Sequence, residues 1–282
     1  SHLVKTALSV KQNLLVGESF EVFGTSVLGE SSQKPTFKVA LDGTVSVRED
    51  LILAGGTDIY NIADIKDVYV YDTTKDSDGG AWTNNTDAKS KSWYNEQIDA
   101  TAQSCNIALD DRCGSRSFPQ KAVIVTTNND VYIFDAKDNT MWMKLEQGGS
   151  LWASNNMMLR DEDDIVTVFA LNGRIYTGQD TDGNVVVIDF IDDNSEYRGS
   201  SSVRWYNSNI ANRNAGSGHG SDLVTAFGGY IIDDTINDIH AAVINNKTYV
   251  AVATNGGVSV INEDDETVVD IHDIANSNWD PS

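Results

Sequence analysis

An all-β protein built from antiparallel meanders is what this sequence predicts, and three observations carry the prediction. Short runs alternate apolar and polar side chains and are separated by Asn-Asn, Asn-Gly or Asp-Gly pairs, the residues that two-residue hairpin turns favour. Trp93-Tyr94-Asn95 is echoed by Trp205-Tyr206-Asn207, each copy followed by a polar loop, which reads as an internal repeat. No stretch of about a dozen residues shows a helical period, so helix should be scarce. Repeated four-stranded meanders that bury their faces only against neighbours are the blades of a β-propeller, and that architecture is the specific expectation.

Two regions differ in cadence, and the domain division follows them: residues 1–56 and residues 57–282. In the first, Leu8-Ser9-Val10, Phe20-Glu21-Val22-Phe23 and Val45-Ser46-Val47 are apolar alternations broken at once by Gly, Asp or Asn. Strands that short do not make stable hairpins alone. They suit a fibre-like segment in which three chains wrap round one another, or the rungs of a β-helix.

From residue 57 onward the strands lengthen. Lys121–Thr127, the turn Asn128-Asn129 and Asp130–Asp135 form one predicted hairpin. Ile165–Leu171, Asn172-Gly173 and Arg174–Gly178 form the next, followed by a strand over Asn184–Ile191. Ile239–Ile244, Asn245-Asn246, Lys247–Ala253, Asn255-Gly256-Gly257, Val258–Asn262 and Glu266–Ile271 then spell out a four-stranded meander, with an acidic turn, Glu263-Asp264-Asp265, before its last strand. About four such units are expected, over 57–92, 118–150, 160–205 and 230–275. Tryptophans between them, Trp82, Trp93 and Trp142 among others, are suited to filling the wedges between adjacent sheets.

Composition narrows the partners. Among 282 residues, 42 are acidic and 20 basic, a formal charge of −22 that repels nucleic-acid phosphates and anionic membranes. Nothing approaches 18 consecutive apolar residues, so no membrane span is expected. The opening Ser1-His2-Leu3-Val4 lacks an initiator Met and a signal-peptide core and reads as a tag remnant or an interior cut. Cys105 and Cys113 lie in one Gly/Ser/Asp-rich loop, where a disulfide and two free thiols are equally compatible.

Chemistry is sparse. The sequence has no Gly-x-Ser-x-Gly elbow, no His-Glu-x-x-His, no phosphate-cradling Gly-rich loop with Lys and no Cys-x-x-Cys. His219, His240 and His272 are scattered, so no catalytic residue is assigned and no resident cofactor is expected. Two loops, Asp76-Ser77-Asp78-Gly79-Gly80 and Asp180-Thr181-Asp182-Gly183-Asn184, place oxygens at alternating positions before a glycine. Two readings of them stay open: plain hairpin turns, or calcium held by Asp76, Asp78, Asp180 and Asp182. Trp93, Tyr94, Trp205 and Tyr206, in polar loop settings, are the candidate binding surface.

Several motifs form an ordered set: Asp78-Gly79-Gly80-Ala81-Trp82, Trp93-Tyr94-Asn95-Glu96, Arg116-Ser117-Phe118-Pro119 and Met141-Trp142-Met143, with Asn255-Gly256-Gly257-Val258-Ser259-Val260-Ile261 further on. The set resembles a repeat-bearing segment of structural tail and fibre proteins of marine and environmental bacteriophages, over roughly residues 67–145. The second copy departs from it, since no Phe-Pro follows Trp205-Tyr206-Asn207. The resemblance implies a non-catalytic virion component that folds in the host cytoplasm and contacts other virion proteins and a host surface glycan or protein, while the short strands of residues 1–56 imply a homo-oligomer, most simply a trimer. It supplies no catalytic residue. The rival expectation is a carbohydrate-active β-propeller enzyme that acts on bacterial surface polysaccharide.

Overall fold

The computed structural model describes residues 65–98, 112, 114–138, 140–147, 158–159, 164–180, 184–200, 209–214 and 231–272, and the backbone alone at 52–53, 57–58, 203–206 and 221–222. The expected fibre-like rungs of residues 1–56, apart from Ile52–Leu53, and the Cys105–Cys113 pair lie outside the described residues. Within them the protein is β-rich and its sheet pairings are antiparallel.

A small ladder joins β1 (Ile52–Leu53) to β2 (Thr57–Asp58). The first large sheet is β3 (Ile65–Asp72), β4 (Lys121–Thr127), β5 (Asp130–Asp135) and β6 (Thr140–Glu146), paired in sequence order. The second runs β7 (Ile165–Leu171), β8 (Arg174–Gln179), β9 (Val185–Asp189), β10 (Asn194–Arg198), β11 (Val203–Tyr206) and β12 (Ser221–Asp222). The third is β13 (Ile236–Ile244), β14 (Lys247–Thr254), β15 (Gly257–Asn262) and β16 (Thr267–Ile271). All three are up-and-down meanders, and none closes on itself.

The expected hairpins are present, and two turns have the required backbone. Asn172 and Gly173 take φ of 51° and 76°, and Asn245 and Asn246 take 52° and 62°. Left-handed pairs give the turn twist that matches right-handed strands. Asn128-Asn129 turns without left-handed backbone, helped by the Thr127 hydroxyl, which accepts from Asp130 N at 3.1 Å.

Two sequence expectations are corrected. Among the described residues the four expected units become three large sheets, because the described part of 57–92 builds no meander of its own. Ile65–Asp72 is instead the first strand of the sheet that residues 121–146 complete. Thr73 N donates to Gln120 O at 3.0 Å, so a long excursion leaves and re-enters the sheet at one point. The second correction concerns the Trp-Tyr-Asn repeat. Trp93-Tyr94-Asn95 lies in a single helical turn, α1 (Ser92–Asn95), whereas Trp205-Tyr206 is strand.

The repeat that the structure does carry is a bulge. In each large sheet the pairing of the first strand slips by one residue, at Ile65/Asp67, Ile165/Thr167 and Ile236/Asp238. Asp67 and Asp238 then accept from the next backbone N–H, Val68 N at 2.8 Å and Ile239 N at 2.9 Å. The three first strands lie side by side. The Thr167 hydroxyl sits 3.3 Å from Asp67 Oδ2 and 3.2 Å from Asp238 Oδ1. Two residues on, the ring of Phe169 packs at a tilt against Tyr69 at 4.6 Å and against His240 at 4.4 Å between centroids. Equivalent positions meet in the same order at both levels, so the three strands run in the same direction.

Alternation on the second sheet decides where the core sits. Val168, Ala170, Ile175, Val186 and Ile188 face the first sheet. Phe169, Tyr176, Val185 and Val187 face the third. With a period of two, adjacent residues on one strand supply both faces, so the second sheet is an interior layer. Gly178 marks how closely the third sheet approaches it: a Cβ there would lie 2.5 Å from Ile236 Cγ2 and 2.8 Å from Thr167 Cγ2. Gly178→Ala should cost about 1–3 kcal/mol through overpacking, read as a lowered urea midpoint at unchanged slope.

Between the first and second sheets the excursion of residues 73–98 lays down an aromatic cluster. Trp82, Trp93, Phe118, Trp142 and Phe190 interlock, with Phe118 and Trp142 at 4.9 Å and Trp93 and Phe190 at 5.7 Å between centroids. Every indole N–H of the cluster has an acceptor: Trp93 to Phe190 O at 2.8 Å, Trp142 to Ser115 O at 2.8 Å, and Trp82 to Asp76 Oδ2 at 2.7 Å. Rings of this size bring most burial per residue when their polar edges are satisfied.

Candidate functional site

The predicted site residues serve different ends. Asp76 is buried and accepts from three donors: Tyr71 Oη at 2.6 Å, Trp82 Nε1 at 2.7 Å and Asn172 N at 2.8 Å. Tyr71 Oη in turn accepts from Gly173 N at 2.8 Å. The aspartate thus ties the end of β3 to the β7–β8 turn. Burial pushes its pKa above the ordinary value despite these donors, and the neighbouring Asp78 charge adds to the rise. Asp78 holds its own turn, accepting from Gly80 N and Trp82 N at 2.8 Å each.

Asp180 lies at the far end of β8 from the Asn172-Gly173 turn that Asp76 grips, about 20 Å along a six-residue strand. The two loops therefore cannot share one cation. Asp182 lies outside the described residues, among which no three His, Cys, Asp or Glu side chains group to hold a metal.

The expected aromatic surface is also redistributed. Trp93 is wholly buried, so its ring offers no contact face, a correction that follows from its place at the centre of the aromatic cluster. Tyr94 is half-buried and donates to Asn84 Oδ1 at 2.9 Å. Trp205 and Tyr206 are placed by backbone only, on β11 opposite Glu196 and Ser195.

What sequence reasoning did not single out is a charged cleft of about 160 Å³ where the second sheet meets the β15–β16 turn of the third. Arg198 is its centre. Its guanidinium reaches Glu196 through Nε and Nη2 at 2.7 and 2.8 Å, and Glu263 through Nη1 and Nη2 at 2.7 Å each. Arg174 grips Asp189 at 2.6 Å and approaches Glu263 at 3.5 Å. Asp189 spends its other oxygen on Ile191 N and Asp192 N.

Glu263 would be raised by burial alone, but the Arg198 charge and hydrogen bonds outweigh that, with Arg174 and the Tyr176 hydroxyl adding to the same effect, and hold it below the ordinary carboxylate range. Planar forks aligned on planar carboxylates give the strongest class of ion pair. The spacing was readable: Glu196 and Arg198, two apart on one strand, must share a face. That Glu263 completes the set was not, since 65 residues separate it from Arg198.

This chemistry binds sheets together. Arg198 turns its fork fully onto carboxylates, and Glu263 is held ionised, the opposite of what a general acid requires. No protein-family profile matches the chain, and no curated protein matches it at a significant level.

Proposed function

We propose that this chain is a non-catalytic structural component of a virion, a tail or fibre protein whose β-propeller-like repeat region mediates subunit assembly and attachment to a host surface. One observation carries the reading most: three meanders stack face to face with their first strands side by side and parallel, and Arg174 and Arg198 of the second sheet pair with Glu263 of the third. That is how propeller blades are arranged about an axis. The sequence resemblance points the same way, and it supplies the virion setting, the other virion proteins as partners and the host glycan or surface protein as target. A trimer is proposed only on the sequence pattern of residues 1–56.

Mass spectrometry of purified virus particles from the source population tests this, together with a turnover screen of the isolated chain on bacterial surface polysaccharides. Peptides of this chain in the particles, and polysaccharide bound but not shortened, are the expected results. Release of new sugar ends that Glu263→Gln abolishes without unfolding the protein would favour the rival carbohydrate-active enzyme.

A further inference from the structure

The charged cleft between the second sheet and the β15–β16 turn holds more hydrogen-bonding capacity than its own ion pairs consume. Arg198 is engaged by Glu196 and Glu263 along its whole fork. Arg174 is engaged only in part. Its Nε goes to Asp189 at 2.6 Å and its Nη1 approaches Glu263 at 3.5 Å, so Nη2 is left over among the described residues. Asn194, at the start of β10, lines the same cleft with a buried Oδ1 that accepts from no donor. Buried acceptors are seldom left so. Asp192 and Glu266 also line the cleft; both are exposed, and their carboxylates pair with nothing among the described residues. Every lining residue is a described one.

The geometry points to this cleft as the subsite for one non-acidic sugar unit, neutral or amine-bearing, of a surface glycan. The assignment rests on the attachment role proposed above and names its ligand. The leftover groups are mixed: a donor on Arg174, acceptors on Asn194, Asp192 and Glu266. A hydroxyl both donates and accepts, so neighbouring hydroxyls of a sugar serve both sets at once. A lysine ammonium only donates, and it would meet Arg174 as a like charge. Net charge narrows the class. Two arginines against five carboxylates leave the lining at −3, on a chain of −22. Phosphate, sulfate and uronate are repelled there, and an amine is drawn in.

Size and lining set the strength. The cleft, about 160 Å³, lies below the roughly 300–1,000 Å³ of pockets that enclose drug-sized ligands, so one ring enters and the rest of the glycan stays outside. No aromatic ring lines it to stack on the sugar. Polar contacts exchanged against water then give a Kd on the order of 1 mM. Several copies side by side on one particle raise the avidity without any new contact.

Titration of the isotope-labelled whole chain with methyl glucoside, glucosamine and glucuronic acid, which share a ring and differ in charge, is the test. Concentrations on the order of 10 mM fill a site of that affinity. Saturable shifts of the Asp192, Asn194 and Glu266 amides are expected with the first two sugars, about fivefold tighter for glucosamine, and none with glucuronic acid. The double variant Asp192→Asn/Glu266→Gln, altered only at exposed side chains, should keep its melting temperature and bind glucosamine about tenfold more weakly. No saturable shift with any of the three sugars overturns the assignment, as does glucuronic acid binding as well as glucosamine, or an affinity untouched by the double variant. Binding of intact polysaccharide and presence in virus particles are read separately. Polysaccharide that binds wild type and double variant alike overturns the cleft and leaves host attachment standing.

Discussion

Trp93→Ala should destabilise the protein by about 3–5 kcal/mol, the range for removing a large aromatic from a packed interior. The ring is fully buried and touches Trp82, Tyr94, Trp142 and Phe190. Its removal leaves Phe190 O without the indole donor and opens a void that four rigid rings cannot fill by rotating. Residues 73–98 dock on the sheets chiefly through this cluster, so limited proteolysis should cut within them before the strands are touched. Trp93→Phe keeps an aromatic ring but loses the hydrogen bond and part of the volume, and should fall between the two. Urea denaturation of the three proteins gives the order; equal midpoints would show that the cluster is not the anchor.

Arg198→Ala should be comparably severe, about 3–5 kcal/mol, because it removes the central cation from buried Glu196 and Glu263 and leaves Glu263 only Arg174 at 3.5 Å. Its pH dependence follows from Glu263. A carboxylate held below its ordinary pKa contributes stability that is present above that ordinary value, 4.5 here, and lost as pH falls through the folded one. Wild type should therefore lose stability as pH drops below about 4.5, while Glu263→Gln, already short of that pair, should lose less. The two curves should converge in acid. Asp76 acts with the opposite sign: its raised pKa means that acidification relieves the cost of a buried charge. Asp76→Asn should remove that compensating slope, read from the same melts. Curves for wild type and Glu263→Gln that stay parallel down to acid pH would show that the Arg198 cluster contributes nothing through ionisation.

Local order was legible and long-range order was not. Asn172-Gly173 and Asn245-Asn246 announced hairpins because the left-handed backbone such turns need is cheap only for a few residue types. The meander of residues 236–271 could be read almost strand by strand from alternation. The pairing of β3 with β4 was hidden, because 48 residues part Asp72 from Lys121 and neither strand marks its distant partner. Trp93-Tyr94-Asn95 misled through identity of letters: helical turn and strand both accept aromatics, and the tripeptide fixes neither. The repeat that matters, Ile-x-Asp or Ile-x-Thr at residues 65, 165 and 236, has too few fixed positions to stand out until the bulges reveal it. The charged cleft was half visible, in Glu196-x-Arg198, and completed only by tertiary structure.

Contact through their faces should make the three meanders fold as one stack and not as separate sheets. Native-state hydrogen exchange addresses it most directly, by comparing the amides of β3, β7 and β13 with those of β9 and β10 across a denaturant series. Merging of all five strands onto one opening free energy, with the interior second sheet never less protected than its neighbours, is the predicted result. Three separate opening energies, one for each sheet, would contradict the account.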